Sequence, residues 1–378
     1  MTRFLALGAV ALGVVALMPA QAQSFPKRLV SDYGYWSRTQ TPPYSSDQIP
    51  FHMMTHINHA GVSFNSDGSL SVPDGFLEPA LISKATAAGV KVGLLLGGDF
   101  PGLENNPGAL NTLLTNLQAF MTSNGYLGVD IDWEYPETAA DTQMFTGVMA
   151  GLRRTFPSPT YYLSADIPPW GGAYNIPGVE PYIDFYNVMM YDCAGPWTDD
   201  GQLNSPILTN PNNPQPWECA PGGSVEQTTN VFLNDYHVPP SKINMGTPFY
   251  GYFYTTVTEV YGLCYAGEPN RTCDSHLVRG VNYGTWVEPV INGGGWTVNF
   301  DQKSMVPYLL RSDGSPGYVT YDDQYSTYYR VWYAEYQRGL GGAFMWALDE
   351  DYNGHTQPLL DSMYEATMGL AYTGPTPR

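Results

Sequence analysis

Eight short strand-like runs alternate with helical patterns along this chain, and that alternation limits its folds more than any other feature. The runs cover 29–36, 55–64, 90–96, 126–134, 161–167, 185–191, 242–250 and 342–348. In the fourth run β-branched and aromatic residues dominate, and Pro136 closes it. Amphipathic patterns such as 75–88, 109–122, 142–155 and 224–236 lie between the runs. Strands separated by helices pair in parallel, and eight such units point to a closed (β/α)8 TIM barrel. The alternation breaks after the seventh run. Residues 255–318 are rich in Tyr, Trp, Gly and Asn and show no helical stripe, yet their aromatic content argues against disorder.

The fourth run carries unusual chemistry. In Tyr126-Leu-Gly-Val-Asp-Ile-Asp-Trp-Glu-Tyr-Pro136, strand alternation puts Asp130, Asp132 and Glu134 on one face. Val129, Ile131 and Trp133 take the other face, towards an apolar layer. Each two-residue step climbs about 6.6 Å, so the carboxylates form a ladder that ends at Glu134. Three like charges on one face of a core strand are costly, so at least one must hold a proton with a raised pKa. Carboxylates that share protons are the working parts of acid catalysis. In a parallel barrel such groups act where strands end.

The run Gly128-Val-Asp-Ile-Asp-Trp-Glu134 resembles the Asp-Gly-x-Asp-x-Asp-x-Glu signature of family 18 glycoside hydrolases, the chitinases, with Leu127 in place of the first Asp. Four further blocks resemble the family in the family's order. Lys91-Val-Gly-Leu-Leu-Leu-Gly-Gly98 is similar to its third strand, with Leu95 where a Ser is usual. Asn187-Val-Met-Met-Tyr-Asp192 is similar to the sixth, Lys242 to Gly251 to the seventh, and Gly341 to Asp349 to the eighth. The resemblance implies the (β/α)8 barrel. It also implies the deep-cleft subfamily, whose small α+β insertion follows strand seven and would occupy 255–318.

Residue roles follow from the resemblance at matching positions. Glu134 would be the general acid and then the base that activates water. Asp132 would orient the substrate's 2-acetamido group, which acts as the nucleophile, and Asp130 would share a proton with Asp132. Tyr191 would hold the acetamido carbonyl. Trp346 would floor the subsite of the reacting sugar, with Asp192, Met189 and Tyr250 lining it. Tyr35, Trp36, Phe100, Tyr135, Trp197 and Trp286 are candidate cleft aromatics. Leu127 and Leu95 are expected below or behind the ladder, where they would withdraw the usual hydrogen-bond support from Asp130.

Composition narrows the partners. The chain has 35 acidic against 16 basic residues, a formal charge of −19, with the acids scattered. Nucleic acid and anionic membranes are therefore poor partners. Only 13% of residues are charged while 14% are aromatic, a balance suited to a neutral, hydroxyl-rich polysaccharide. Residues 1–22 read as a secretory signal peptide, with Arg3, an apolar run from Phe4 to Met18, and Ala20-Gln-Ala22 at the cleavage site. The mature protein, 23–378, is expected to be exported and monomeric. In an oxidising compartment four cysteines favour two disulfides. Cys264 and Cys273 are nine residues apart, which leaves Cys193 for Cys219. No metal-ligand spacing is present, and no cofactor is expected.

The reading that results is a secreted chitinase cutting β-1,4 links in chitin or N-acetylglucosamine oligomers. Two alternatives are an endo-β-N-acetylglucosaminidase acting on glycoprotein or cell-wall glycans, and a chitin-binding lectin on an inactive barrel. The acidic charge balance and the ladder together lead us to expect highest activity and stability below neutrality, roughly pH 4 to 6.

Overall fold

The computed structural model describes residues 25–213, 219 and 223–377. Residues 1–22, expected to be a signal peptide, lie outside the described residues. Eight parallel strands close into a barrel: β1 (Arg28–Gly34), β2 (His56–Phe64), β3 (Lys91–Leu96), β4 (Gly128–Ile131), β5 (Tyr162–Ile167), β6 (Phe185–Val188), β7 (Ile243–Pro248) and β8 (Gly342–Trp346). They pair in sequence order, and β8 meets β1 to close the ring. The side chains outside the ring, under the helices, form the main apolar core.

Local signals explain where the helices start and stop. The helix Ala139–Thr155 begins three residues before the expected 142 because Thr138 caps it. Thr138 Oγ1 accepts from the Asp141 N–H at 3.1 Å, and Asp141 Oδ2 accepts from the Thr138 N–H at 2.9 Å. This helix buries Phe145, Val148, Met149 and Leu152. The helix Ala109–Asn124 ends at Gly125, whose φ of 80° suits glycine at a left-handed cap. The expected helix over 224–236 is shorter as an α-helix. It is regular from Val225 to Asn230 and runs on as a wider π-turn through Asp235.

The fourth strand is shorter than its sequence suggests. Regular pairing covers only Gly128–Ile131, and the Asp132 N–H adds one more bond to the Leu96 carbonyl at 3.1 Å. Trp133 and Glu134 lie beyond the reach of both neighbouring strands, at the rim. Alternation nevertheless persists past the last ladder bond. Trp133 turns outward and stacks on Phe100, with ring centroids 4.4 Å apart and planes 3° from parallel.

After β7 the chain builds a second, antiparallel sheet. Its order in space is Val278–Asn282, Tyr250–Tyr254, Tyr318–Thr320, Val306–Arg311 and Trp296–Asp301. This sheet takes in residues on both sides of 255–318. A small core of Tyr254, Val257, Val278 and Tyr318 lies beneath it, with the Cys264–Cys273 disulfide in its midst. The second disulfide joins Cys193 to Cys219, just past the end of β6.

One buried ion pair ties these parts together. Arg330 is fully buried on the helix Gln324–Trp332. Its Nη2 donates to Asp322 Oδ1 at 2.9 Å and to the Ser205 carbonyl at 2.5 Å. The contact links the end of the second sheet to the loop after β6. Arg330→Met would leave Asp322 buried and uncompensated, at a cost of about 3–5 kcal/mol. The denaturant midpoint should fall accordingly at unchanged slope. A midpoint equal to that of the unmodified protein would show that the pair does not hold the parts together.

Candidate active site

Inward-facing positions near the C-terminal end of the barrel carry a row of acids. Asp130 is fully buried. Its Oδ2 accepts from Asn58 Nδ2 of β2 at 2.8 Å and from Asn187 Nδ2 of β6 at 3.2 Å. Behind Asn187 the chain of amides continues, with Asn244 Nδ2 on Asn187 Oδ1 at 3.0 Å and Arg28 Nε on Asn244 Oδ1 at 3.0 Å. Leu95 pairs in register with Asp130 and shares its face, so it offers no hydrogen bond there. Asn58 and Asn187 supply the support instead.

Burial sets the electrostatics. It pushes the Asp130 carboxyl up to about 6, held back by the polar side chains of Ser164, Asp166 and Asn187 around it. Asp132 is raised further, to about 7, by burial and then by the charges of Glu134 and Asp130. Glu134 is raised by burial and next by the charge of Asp192. Among the described residues, no ion pair includes any of these acids. The row therefore retains protons at pH values where surface carboxylates have lost theirs.

Asp192 closes the other side. Its φ of 62° lies in the left-handed region, uncommon for a residue with a side chain. The Asp192 N–H donates to Asn204 Oδ1 at 2.9 Å. Its Oδ1 accepts from the hydroxyls of Tyr250 at 2.5 Å and Tyr252 at 2.8 Å, both on the first strand of the second sheet. The sheet thus presents Tyr250 and Tyr252 to the barrel mouth.

Two adjoining cavities meet at Glu134, Met189, Tyr191 and Asp192. The inner one, about 220 Å³, also touches Asp132, Asp166, Tyr250 and Trp346. The outer one, about 430 Å³, is walled by Tyr135, Pro168, Pro169, Trp170 and Trp197. Trp36 stands beside Trp346, ring centroids 6.3 Å apart, and 37% of it is exposed. Trp197 is 46% exposed. The space is concave, apolar in much of its wall and acidic on its floor, a combination suited to a hydroxyl-rich ligand.

The structure thus gathers Asp130, Asp132, Glu134, Tyr191, Asp192, Met189, Tyr250 and Trp346 around one space, with Tyr135, Trp197 and Trp36 along its length. Two expectations fail. Phe100 is fully buried, packed between Phe64 and Trp133 on the outward side of the ladder. Trp286 packs on Phe253, and strand alternation puts Phe253 on the face opposite Tyr250 and Tyr252. Tyr35 turns towards Phe76 and the core, although its ring edge still meets Trp36.

Sequence reasoning passed over Asp32, Asn58, Asp166, Trp170 and Tyr252. A polar residue at an inward position of an apolar strand is the signal that marked Asp130, and it holds equally for Asp32, Asn58 and Asp166. Trp170 sits in the loop after β5, placed only by tertiary contacts such as the Tyr236 hydroxyl on its carbonyl at 2.8 Å.

Comparisons with known proteins agree with this geometry. The model of glycosyl hydrolases family 18 matches residues 28–351. The chain is 28% identical over 268 residues to a probable endochitinase of Caenorhabditis elegans, across 67% of this chain and 42% of the nematode protein. It is 27% identical over 333 residues to chitinase B of Serratia marcescens, across 72% of this chain and 66% of that protein. The chain therefore spans less than two thirds of the length of these relatives. A Group IV chitinase of Ostrinia furnacalis, solved in complex with allosamidin, superposes with a TM-score of 0.79 at 22% identity, covering 91% of this chain and 100% of that one. The likeness of structure establishes a shared fold, and the family match runs through every strand of the barrel: this chain belongs to family 18 of the glycosyl hydrolases.

Proposed function

We propose that the protein is a chitinase that hydrolyses β-1,4 links between N-acetylglucosamine units by a substrate-assisted, retaining mechanism. The observation that supports it most is the acid row that climbs from buried Asp130 through half-buried Asp132 to Glu134 at the rim, where Asp132 and Glu134 line a cavity shared with Tyr191 and Trp346. Most glycosidases take both an acid and a nucleophile from two carboxylates, and family 18 is an exception in which the substrate's acetamido oxygen attacks. Glu134 sits where the inner and outer cavities meet, so a chain lying through both would place its bond at that carboxyl.

The steps follow from the side chains. Glu134, whose carboxyl is pushed up by desolvation and by the charge of Asp192, gives its proton to the leaving oxygen. The acetamido oxygen closes on the anomeric carbon from the opposite face and forms a cyclic oxazolinium ion. Asp132 accepts the hydrogen bond of the acetamido N–H and balances the positive charge, while Asp130 exchanges a proton with it. Burial keeps the Tyr191 phenol fully protonated, so its hydroxyl can donate to the acetamido oxygen and fix its approach. Glu134, now ionised, takes a proton from water, which opens the ring and restores the β-configuration. Trp346 provides a flat apolar surface beneath the reacting sugar.

An endo-β-N-acetylglucosaminidase would use the same residues, and a panel of glycoprotein substrates separates the two. A lectin on this barrel would have no need of an acid at position 134. Export fits the two disulfides, which persist in oxidising compartments. Among the described residues, no helix is long and apolar enough to cross a membrane.

Three expectations follow. Glu134→Gln keeps the shape and removes the transferable proton, so turnover of chitin oligomers should drop about a hundredfold or more while the melting curve stays in place; near-normal turnover would refute the assignment. Because the nucleophile belongs to the substrate, fully deacetylated chitosan should not be cleaved, and release of reducing ends from it would sink the substrate-assisted scheme. The third concerns pH. Burial raises Asp130 to about 6, Asp132 to about 7, and Glu335 and Glu350 to about 8. The native state holds these protons more tightly than an unfolded chain, whose carboxyls titrate near about 4. Their contribution to stability is therefore complete below about pH 4 and is lost as pH rises through about 6 to 8. Asp67, Asp141, Asp274 and Asp313, held below the usual range by local hydrogen bonds, oppose this only in more acidic solution. The melting temperature should climb as pH is lowered from 8 to 5; a melting temperature that falls over that range would contradict it.

A further inference from the structure

Two fully or nearly fully buried carboxylates inside the barrel, Asp32 on β1 and Asp166 on β5, have no part in the reaction as written above. Asn58 connects the first of them to the ladder. Its Nδ2 donates to Asp32 Oδ1 at 3.0 Å and to Asp130 Oδ2 at 2.8 Å. The Tyr162 hydroxyl donates to Asn58 Oδ1 at 2.8 Å, which fixes the amide so that its nitrogen faces the two acids. Asp166 lies at the other end, on the wall of the inner cavity beside Asp132.

The oxygens left over do not balance. Asp32 Oδ2, Asp130 Oδ1, Asp132 Oδ1 and Asp166 Oδ1 are all buried without a hydrogen-bond partner among the described residues. Four orphaned acceptors in one enclosure would carry a heavy desolvation cost if every carboxyl were ionised. The Ser164 hydroxyl, buried, unpartnered and in register with Asp130, can donate to one of the four; for the rest a carboxyl proton is the donor that the enclosure can supply for itself, since one acid O–H pointed at a neighbouring carboxylate turns two orphans into one hydrogen bond.

No other group in the neighbourhood offers a charge to replace it. Arg28, at the foot of β1, is committed to Asn244 and to the Ser241 carbonyl. On β2, burial lowers both His56 and His59 to about 3 and leaves them neutral. β4 contributes Asp130 and, just past its end, Asp132; β5 adds Tyr162, and Tyr191 and Asp192 follow β6. Glu134 stands at the rim, Tyr250 just past β7 faces the same cavity with its hydroxyl on Asp192, and the strands β7 and β8 themselves bring no titratable side chain inward.

We propose that Asp32 and Asp166 are positioning residues that hold a proton at the foot of the carboxylate row, and so set the charge that Asp130 and Asp132 present to the substrate. The device stands where Leu95 brings no polar group to Asp130. The proposal rests on the hydrolytic reading above, but it can be tested apart from it.

The sign of the effect follows from charge. Because the proton is shared, each of these acids carries part of a negative charge; its amide fixes that position as a neutral donor at every pH, so Asp130 and Asp132 should give up their protons at lower pH. In Asp32→Asn and in Asp166→Asn, the acid limb of the kcat/KM profile should move down by about one pH unit. KM for a chitin oligomer should stay within about twofold. A purely structural role would scale the rate at every pH and leave the limb in place. The second arm does not need activity: carbon-13 NMR titration of the aspartate carboxyls in Glu134→Gln, with and without Asp32→Asn or Asp166→Asn. The Glu134→Gln parent should show aspartates titrating above pH 5, and the added amide should shift them down. If Asp32→Asn does not fold, Asp166→Asn carries the same two measurements. An unmoved acid limb together with unmoved aspartate titrations would overturn the proposal, whatever the activity of Glu134→Gln proves to be.

Discussion

Enclosing several carboxylates in one barrel without a cation is the constraint on which the rest of this structure turns. Ionised, such groups would repel one another and lose their hydration together. The fold meets the difficulty with neutral donors and retained protons. Asn58 and Asn187 each give an N–H to the same oxygen of Asp130, and the amide chain runs on through Asn244 to Arg28. The positive charge therefore stays at the foot of the barrel, away from the acids. Were it beside Asp132, that group would lie well below its present value of about 7 and would give up its proton readily.

The second sheet matters for the same reason. Its first strand leaves directly from the end of β7 and turns Tyr250 and Tyr252 onto Asp192. Two phenolic donors let Asp192 keep an unusual backbone conformation and a partly stabilised charge next to Glu134. That charge in turn helps hold the proton on Glu134. Arg330 and Asp322 join the same sheet to the loop after β6, so the two walls of the site share one anchor. Packing, backbone geometry and acidity are thus coupled through a few contacts.

Much of this was legible in the chain. The alternation of strands and helices determined the barrel, because each amphipathic helix must cover a strand face and parallel strands need such crossovers. The acids of the ladder were readable because alternation along a strand assigns every residue a face, and it continued to do so at Trp133 and Glu134 where regular pairing had stopped. Cys264 and Cys273 were readable because they are close in sequence. The start of the helix Ala139–Thr155 is also written locally, since Thr138 has its capping partner Asp141 three residues on.

Other features depended on the closed barrel. Asp32, Asn58 and Asp166 are ordinary polar residues in three separate strands until the ring brings them against Asp130. Phe100 and Trp286 looked like cleft aromatics because residue type does not reveal which side of a rim a ring occupies; stacking on Trp133 and on Phe253 decided it. Trp170 reached the outer cavity through a loop whose course no periodicity encodes. The sequence by itself determined which residues share a face, since that follows from local backbone geometry. Which faces meet, and therefore which carboxyls share a proton, only the tertiary structure decided, because strands far apart in the chain become neighbours only when the ring closes.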